Sequence, residues 1–200
     1  MTLNINFDTI YINNMKKQYI SRSGTFDSGH RVMNERMKCF NMHGHTYKYE
    51  LEFEFNEMED IGYAIDFKEI KRVGCQWIDD LLDHGMIVNP EDKAIIDAAI
   101  QTGSKIWYMS LNGKDKYCNP SVENIAKEIF LAMAVLFAGY KDLNIHKITL
   151  YETPNCFTTC IKESISPQEA QNWMTTNASA VAGYANDKGV VEYDDRKLLN

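Results

Sequence analysis

The 200-residue sequence predicts an α+β domain, in which a four-stranded antiparallel sheet carries two long helices on one face. Three observations support this fold class. Apolar and polar residues alternate along two adjacent N-terminal segments, two long segments with helical spacing follow, and two short alternating segments come after them. The element order is therefore strand, strand, helix, helix, strand, strand (ββααββ). A hydrophobic content of 44% with 12% aromatic residues is sufficient for one packed core.

The first two strands are predicted at residues 16–30 and from His43 onward. Tyrosine, isoleucine, threonine and phenylalanine give the first segment its extended pattern. The second alternates between two faces. One face comprises His43, His45, Tyr47, Tyr49, Leu51, Phe53 and Phe55, and the other comprises Thr46, Lys48, Glu50, Glu52 and Glu54. The first face is expected to be buried, and the charged one to meet water or a hydrated channel.

The first long helix is predicted from Phe67 to about Leu82. Gly62 provides a turn before it, and Asp66 is placed to cap its N-terminus. Apolar residues then recur at helical spacing, and the sequence Asp83-His84-Gly85 ends the pattern.

The second long helix is predicted with Asn119 as its cap and Pro120 at its first position, ending at Gly139. Between the two helices lies an excursion, residues 90–118. It contains a short helical pattern at 94–100 and an aromatic cluster. Its function is not evident from the sequence.

Two strands, residues 146–153 and 156–161, are predicted to complete the domain at about residue 162. Residues 163–200 form a polar C-terminal extension. A capping box, Ser166-Pro167-Gln168-Glu169, predicts a short helix in it, and the chain from Gly183 onward is expected to be loosely ordered.

The composition argues against several classes of function. A net charge of −7 is unfavourable for a nucleic-acid-binding surface, and the longest nearly apolar stretch, residues 129–140, is too short to span a membrane. The N-terminus lacks a basic region and an apolar signal core, and the five cysteines lack a secreted-type spacing. A cytoplasmic protein with reduced thiols is expected. The free edges of the predicted sheet favour oligomerisation.

His30, His43 and His45 are the candidate metal ligands. His43 and His45 project from the same face of a strand, and His30 ends the preceding strand. Three imidazoles with a fourth position open to water or substrate are typical of a catalytic zinc site. The alternatives are an ordinary exposed or hydrogen-bonded histidine pair, and a structural zinc site with Cys39 as fourth ligand.

Cys39 lies four residues before His43, close enough for its thiolate to act as a base or nucleophile beside the metal. The alternative is an inert buried cysteine. The segment before it is locally basic, with Arg31, Arg36 and Lys38. These residues could hold phosphates or form a solvated loop.

Two further acid-base candidates are the pair Asp83-His84 and the carboxylate of Glu152. A carboxylate beside a histidine can orient the imidazole as a proton relay, although adjacent side chains are not expected to hydrogen-bond easily. The alternative is a histidine stabilised by a helix C-terminus. Glu152 shares the face of Ile148 and Leu150, so it needs a buried partner. That partner could be the N–H edge of a guanidine-like heterocycle, an arginine or backbone amides.

Together these motifs resemble the 6-pyruvoyltetrahydropterin synthase / 6-carboxytetrahydropterin synthase family over roughly residues 19–162. Six segments carry the resemblance in the same order: Phe26-Asp-Ser-Gly-His30, Cys39-x-x-x-His43-Gly44-His45, Gly62-Tyr-Ala-Ile-Asp66-Phe67, Asp83-His84, Pro120-Ser-Val-Glu123-Asn124 and Tyr151-Glu152-Thr153. The resemblance implies the tunnelling fold (T-fold), in which sheets of several subunits close a barrel, typically in a hexamer of two trimers.

The resemblance also implies a set of roles. Zinc would be bound by the three histidines, with Cys39 as catalytic base. Asp83 and His84 would form the relay, and Glu152 would anchor the pterin of the substrate, 7,8-dihydroneopterin triphosphate.

Three residues separate Cys39 from His43, as is usual in carboxy-forming members, whereas pyruvoyl-forming members usually have five. The chain therefore resembles the 6-carboxytetrahydropterin synthases of the queuosine (7-deazaguanine) pathway, which yield 6-carboxytetrahydropterin, acetaldehyde and triphosphate. The remaining alternatives are the pyruvoyl-forming reaction and a non-catalytic zinc- or pterin-binding protein.

Overall fold

A computed structural model describes residues 17–34, 36 and 38–189. Its centre is a mixed six-stranded sheet with the order β4-β3-β1-β2-β5-β6. The strands are β1 (Gln18–His30), β2 (His43–Phe55), β3 (Gly85–Val88), β4 (Lys105–Tyr108), β5 (Asn144–Thr153) and β6 (Cys156–Ile161). The prediction of a four-stranded sheet is therefore wrong. The four predicted strands are present and antiparallel, but β3 and β4 add a parallel extension beside β1.

The pairing of β1 with β2 brings the histidines together. In this antiparallel register, His30 lies opposite His43, and Ser28 lies opposite His45. Along β2, the alternate residues from Tyr47 to Phe55 are buried, as the pattern predicted. β5 pairs along the other side of β2, with Leu150 opposite Tyr49, so the end of β5 approaches the histidines.

The helices pack against the sheet, and all of the described ones except the third contribute buried residues to one hydrophobic core. They are α1 (Phe67–Ile70), α2 (Gln76–Leu81), α3 (Lys93–Thr102), α4 (Val122–Leu136) and α5 (Pro167–Asp187), with a π-helical turn (Lys71–Cys75) joining α1 to α2. Asp66 caps α1 as predicted, since its carboxylate accepts a hydrogen bond from the Lys68 amide.

The start of α4 differs from the prediction. Ser121, not Asn119, is the N-cap, and its hydroxyl accepts a hydrogen bond from the Asn124 amide. The side-chain oxygen of Asn119 instead accepts the backbone N–H of Met33, 86 residues earlier in the chain. A long-range contact therefore outcompetes the local cap.

The C-terminal extension is more ordered than expected. The capping box at Ser166 is present, but the helix that it starts runs for 21 residues to Asp187 rather than being short. Residues 183–187 lie in this helix, so the expectation of loose order there is wrong; residues 190–200 lie outside the described part of the chain. Trp173 of α5 is fully buried against α4. None of the described helices combines the length and the apolar character that a membrane span requires.

Candidate active site

The side chains of His30, His43 and His45 converge at one end of the β1–β2 pair. One ring nitrogen from each lies within 4.8 Å of the others, and the Nε2 atoms of His30 and His43 are 3.1 Å apart. His30 is buried and the other two are partly buried. The strand register therefore brings His43 and His45 to His30, although they lie 13 and 15 residues further along the chain.

Backbone carbonyls orient two of these rings. Nδ1 of His30 donates to the Pro120 carbonyl at 2.7 Å, and Nδ1 of His43 donates to the Asn41 carbonyl at 2.6 Å. With the proton on Nδ1, the Nε2 lone pair of each ring faces the other histidines. This is the usual arrangement of a metal-binding histidine whose second nitrogen is fixed by a hydrogen bond.

The three nitrogens fit a divalent metal ion. Two facing lone pairs at 3.1 Å repel unless a cation lies between them, and ligands of a tetrahedral zinc with bonds of about 2.0–2.1 Å lie roughly 3.3 Å apart. Nε2 of His45 is buried without a hydrogen-bond partner among the described residues. Burial lowers the pKa of His30 to about 4 and also lowers the pKa of His45, so both rings stay neutral as ligands must be.

Glu152 reaches the same site from β5. Its Oε1 lies 3.6 Å from Nε2 of His30 and 3.8 Å from Nε2 of His45. Because His30 is neutral near pH 7, this is a contact rather than an ion pair. Glu152 also lines an open cleft of about 610 Å³ together with His45, Lys48 and Tyr151. Its carboxylate is thus available to a ligand in that cleft.

Cys39 lies in a 3₁₀ turn (Lys38–Phe40) just before β2 and is partly buried. Among the described residues, the ligand cluster consists of the three imidazoles, so the sulfur of Cys39 lies outside it. The nearby Tyr47 hydroxyl is buried without a partner. Its pKa is raised by burial first, and then by electrostatic interaction with Glu152 and Cys39.

Asp83 and His84 form a hydrogen-bonded pair, with Oδ2 of Asp83 2.6 Å from Nδ1 of His84. The expectation that adjacent residues would not easily pair is wrong here, because His84 has a positive φ of 54°. This conformation turns the imidazole back over the carboxylate. His84 and His45 line the same open cleft of about 360 Å³.

Asp27 lies in a segment that carries the family resemblance, but the sequence did not assign it to the site. Its backbone N–H donates to Oδ1 of Asp83 at 2.7 Å, and its carbonyl accepts the His84 N–H at 2.6 Å. Burial alone would raise the pKa of Asp83, but the hydrogen bonds from Asp27 and His84 lower it. Asp27 faces away from His30 on β1, so strand parity gave no signal for it.

The basic segment before Cys39 is only partly free to hold a phosphate. The guanidinium of Arg31 is bound to the Asp92 carboxylate, whereas Arg36 and Lys38 are exposed. Arg31 therefore has a structural partner that its local sequence did not reveal.

Comparison with known proteins identifies the family. A model of the family described as 6-pyruvoyl tetrahydropterin synthase matches residues 19–163, which include all three histidines, Cys39, Asp83, His84 and Glu152. The chain belongs to this family. Two solved structures have the same fold: a 6-pyruvoyl tetrahydropterin synthase from Caenorhabditis elegans and an uncharacterized protein from Wolinella succinogenes. Their TM-scores are 0.51 and 0.55, each at 19% identity, and they cover 75% and 74% of this chain and 99% of their own chains.

Curated members of the 6-pyruvoyl tetrahydropterin synthase family are more similar in sequence. The chain is 39% identical over 137 residues to a 6-carboxy-5,6,7,8-tetrahydropterin synthase of Rickettsia felis, covering 66% of this chain and 91% of the relative. It is 30% identical over 100 residues to a 6-pyruvoyl tetrahydrobiopterin synthase of Dictyostelium discoideum, covering 44% and 74%. The family is thus one of enzymes, with members named for two products.

Proposed function

We propose that this protein is a zinc-dependent 6-carboxytetrahydropterin synthase, which converts 7,8-dihydroneopterin triphosphate and one water molecule to 6-carboxytetrahydropterin, acetaldehyde and triphosphate. The observation that carries the proposal is the convergence of three imidazole nitrogens within 4.8 Å beside Glu152. The three-residue spacing between Cys39 and His43 and the curated Rickettsia relative favour the carboxy-forming reaction. The product would enter 7-deazaguanine (queuosine) biosynthesis in the cytoplasm.

Each residue then has a chemical task. His30, His43 and His45 would hold zinc, which when bound acidifies and polarises coordinated hydroxyl oxygens. Glu152 would accept the N–H edge of the pterin and fix the ring in its cleft. Cys39 would remove the proton from the side-chain carbon next to the ring.

His84 would move protons in the cleft that it shares with His45. Asp83 holds its Nδ1, so Nε2 is the atom left to exchange a proton with substrate. The imidazole side chain is 75% exposed, which suits exchange with water as well as with substrate. The relay and the thiol thus approach the ligand from different elements.

The decisive experiment is to incubate the purified protein with 7,8-dihydroneopterin triphosphate and to measure acetaldehyde and the pterin product. We expect one acetaldehyde per 6-carboxytetrahydropterin, and about one zinc per chain by elemental analysis. A pterin that keeps its three-carbon side chain would instead establish the pyruvoyl-forming reaction of the Dictyostelium relative. Binding of the pterin without turnover would leave a non-catalytic pterin-binding protein.

A further inference from the structure

The excursion between the two long helices contacts the segment that carries Cys39. Arg31, the residue after the first histidine, binds Asp92 at the start of the excursion through two hydrogen bonds, one of them 2.6 Å between Nη2 and Oδ1. The Asp92 side chain is only 3% exposed, and the Arg31 side chain 20%. Because the two hydrogen bonds are largely buried, they hold the Arg31 guanidinium in one orientation.

Arg31 is joined in turn to the Cys39 turn, which comprises Lys38–Phe40. The guanidinium carbon of Arg31 lies 5.0 Å from the centre of the Phe40 ring, in a cation–π contact. The backbone N–H of the next residue, Val32, donates to the Cys39 carbonyl at 2.8 Å. Asp92 therefore reaches Cys39 through one side chain and one backbone hydrogen bond.

The other end of the excursion, together with Asn89 and Asn119 that flank the excursion, secures the same region. The Tyr117 hydroxyl donates to the Met33 carbonyl at 2.9 Å, and Oδ1 of Asn119 accepts the Met33 N–H at 2.9 Å. Asn89 reinforces this contact by donating to the same Asn119 oxygen at 3.0 Å. The excursion and its flanking residue Asn119 thus hold Arg31 and Met33, on either side of Val32, which binds the Cys39 carbonyl.

From these contacts we propose that Arg31 and Asp92 are positioning residues for the thiol of Cys39, and that the excursion is a brace for the Cys39 turn. The proposal rests on the function assigned above, in that Cys39 is taken as the base. Asp92 acts only through Arg31 and touches no reacting atom. Its expected effect is therefore on the chemical step rather than on substrate binding, because a base displaced by about 1 Å can lose a large part of its efficiency.

The test compares Asp92→Asn, Arg31→Lys and the double variant as zinc-loaded holoenzymes. Asparagine keeps the acceptor that caps α3, so only the charged pair is lost. We expect kcat to fall about tenfold in each single variant with KM within about twofold of wild type, and the double variant to be no worse than the poorer single variant. Zinc content should be unchanged.

Glu169→Gln is the matched control. Glu169 and Lys127 form a partly buried pair at 2.7 Å between α4 and α5, and glutamine preserves the capping box. This variant loses one charge of a comparable pair elsewhere, and its kcat should equal that of the wild type. Loss of kcat in the control equal to that in Asp92→Asn would overturn the proposal, as would a normal kcat in both single variants.

Hydrogen exchange of the backbone amides tests the same inference without turnover. The amides of Val32 and Asn41 donate to Cys39 and Lys38, so they report the order of the Cys39 turn. In Asp92→Asn they should exchange at least about tenfold faster than in wild type, with α5 unaffected. If the wild type fails to turn over 7,8-dihydroneopterin triphosphate, the proposed function is wrong. Hydrogen exchange still tests whether the excursion orders the Cys39 turn, because unchanged exchange in Asp92→Asn would refute that role.

Discussion

Cys39 and Cys75 are both partly buried thiols, but Cys39 interacts electrostatically with the buried Tyr47 hydroxyl, and the Tyr47 ring contacts His30 and His45. We predict that Cys39→Ala retains zinc and loses turnover at least about a hundredfold, the lower range for removal of a general base. The measurements are kcat by acetaldehyde release and zinc by elemental analysis. The cavity left by one sulfur is small, so the fold should persist.

Cys75→Ala is the control for that prediction, because it removes an equivalent atom from the π-helical turn, outside the histidine cluster. It should turn over at nearly the wild-type rate. Full activity in Cys39→Ala would remove the catalytic role of this thiol. Loss of zinc in the same variant would favour instead the closed structural site, with sulfur as fourth ligand.

Strand parity predicted much of the site at the level of single residues. It placed His43 and His45 on one face and Glu152 on the apolar face of its strand, and the structure has all three at one place. Parity could not give the contact between Asp83 and His84, since that depends on a positive φ at a non-glycine residue. Nor could it give Asp92, whose partner Arg31 lies 61 residues away.

At the scale of elements, Glu128 of α4 joins the excursion to the C-terminal helix. Its carboxylate is completely buried and accepts hydrogen bonds from the indole N–H groups of Trp107 and Trp173 and from the Ser110 amide. These donors lower its pKa, but burial outweighs them and raises the pKa from 4.5 to about 7. The excursion and α5, which are distant in sequence, therefore both hydrogen-bond to one titrating carboxylate.

Because Glu128 binds its proton more tightly in the folded chain than in the unfolded chain, the free energy of unfolding depends on pH. Between pH 4.5 and about 7 the folded chain keeps a proton on Glu128 that the unfolded chain has lost, so the free energy of unfolding falls as the pH rises through this window. We predict that wild type loses up to roughly 3 kcal/mol relative to Glu128→Gln between pH 5 and pH 8. Urea unfolding of both proteins at each pH measures the difference.

Wild type and Glu128→Gln share all other titrating groups, so the contributions of those groups to the free energy of unfolding cancel in the difference. Glutamine places an amide where the indole donors point, so Glu128→Gln should be less stable than wild type at pH 5 by about 1–3 kcal/mol. The prediction concerns how that gap narrows as the pH rises. A gap that stays constant from pH 5 to pH 8 would mean that Glu128 titrates normally.

Two short strands and the full length of α5 were missed because their apolar residues are too few to show a clear period. β3 and β4 have four residues each, too few to display an alternating period, and they pair in parallel with β1 and with each other across long connections. α5 was underestimated because its buried residues are sparse: Trp173, Val181 and Ala185 stand among polar residues at helical spacing. Long strands and capped helices, by contrast, were predicted within a few residues.

At the scale of the whole molecule, the described sheet has unpaired backbone on both sides, along β4 and part of β1 on one side and along β6 on the other. Within the described chain, β1 from Gln18 to Asp27 pairs only with β2, and β6 pairs only with β5. Unpaired backbone N–H and C=O groups at opposite sides of a sheet can pair between copies and close a barrel. The side chain of Phe157 on β6 is 57% exposed, which adds apolar surface to this edge.

We therefore predict a homo-oligomer of the 23.1 kDa chain, for which the family resemblance implies a trimer or a hexamer, and native mass spectrometry measures the number of subunits. Phe157→Lys should shift the population toward smaller species, because it places a charge on the edge where a second copy would pair. Met174→Lys on α5, at 43% exposure, is the matched exposed substitution and should leave the assembly unchanged. A wild-type protein that is monomeric in native mass spectra would contradict a barrel closed by several copies. Equal dissociation by both variants would place the interface on a surface other than the β6 edge.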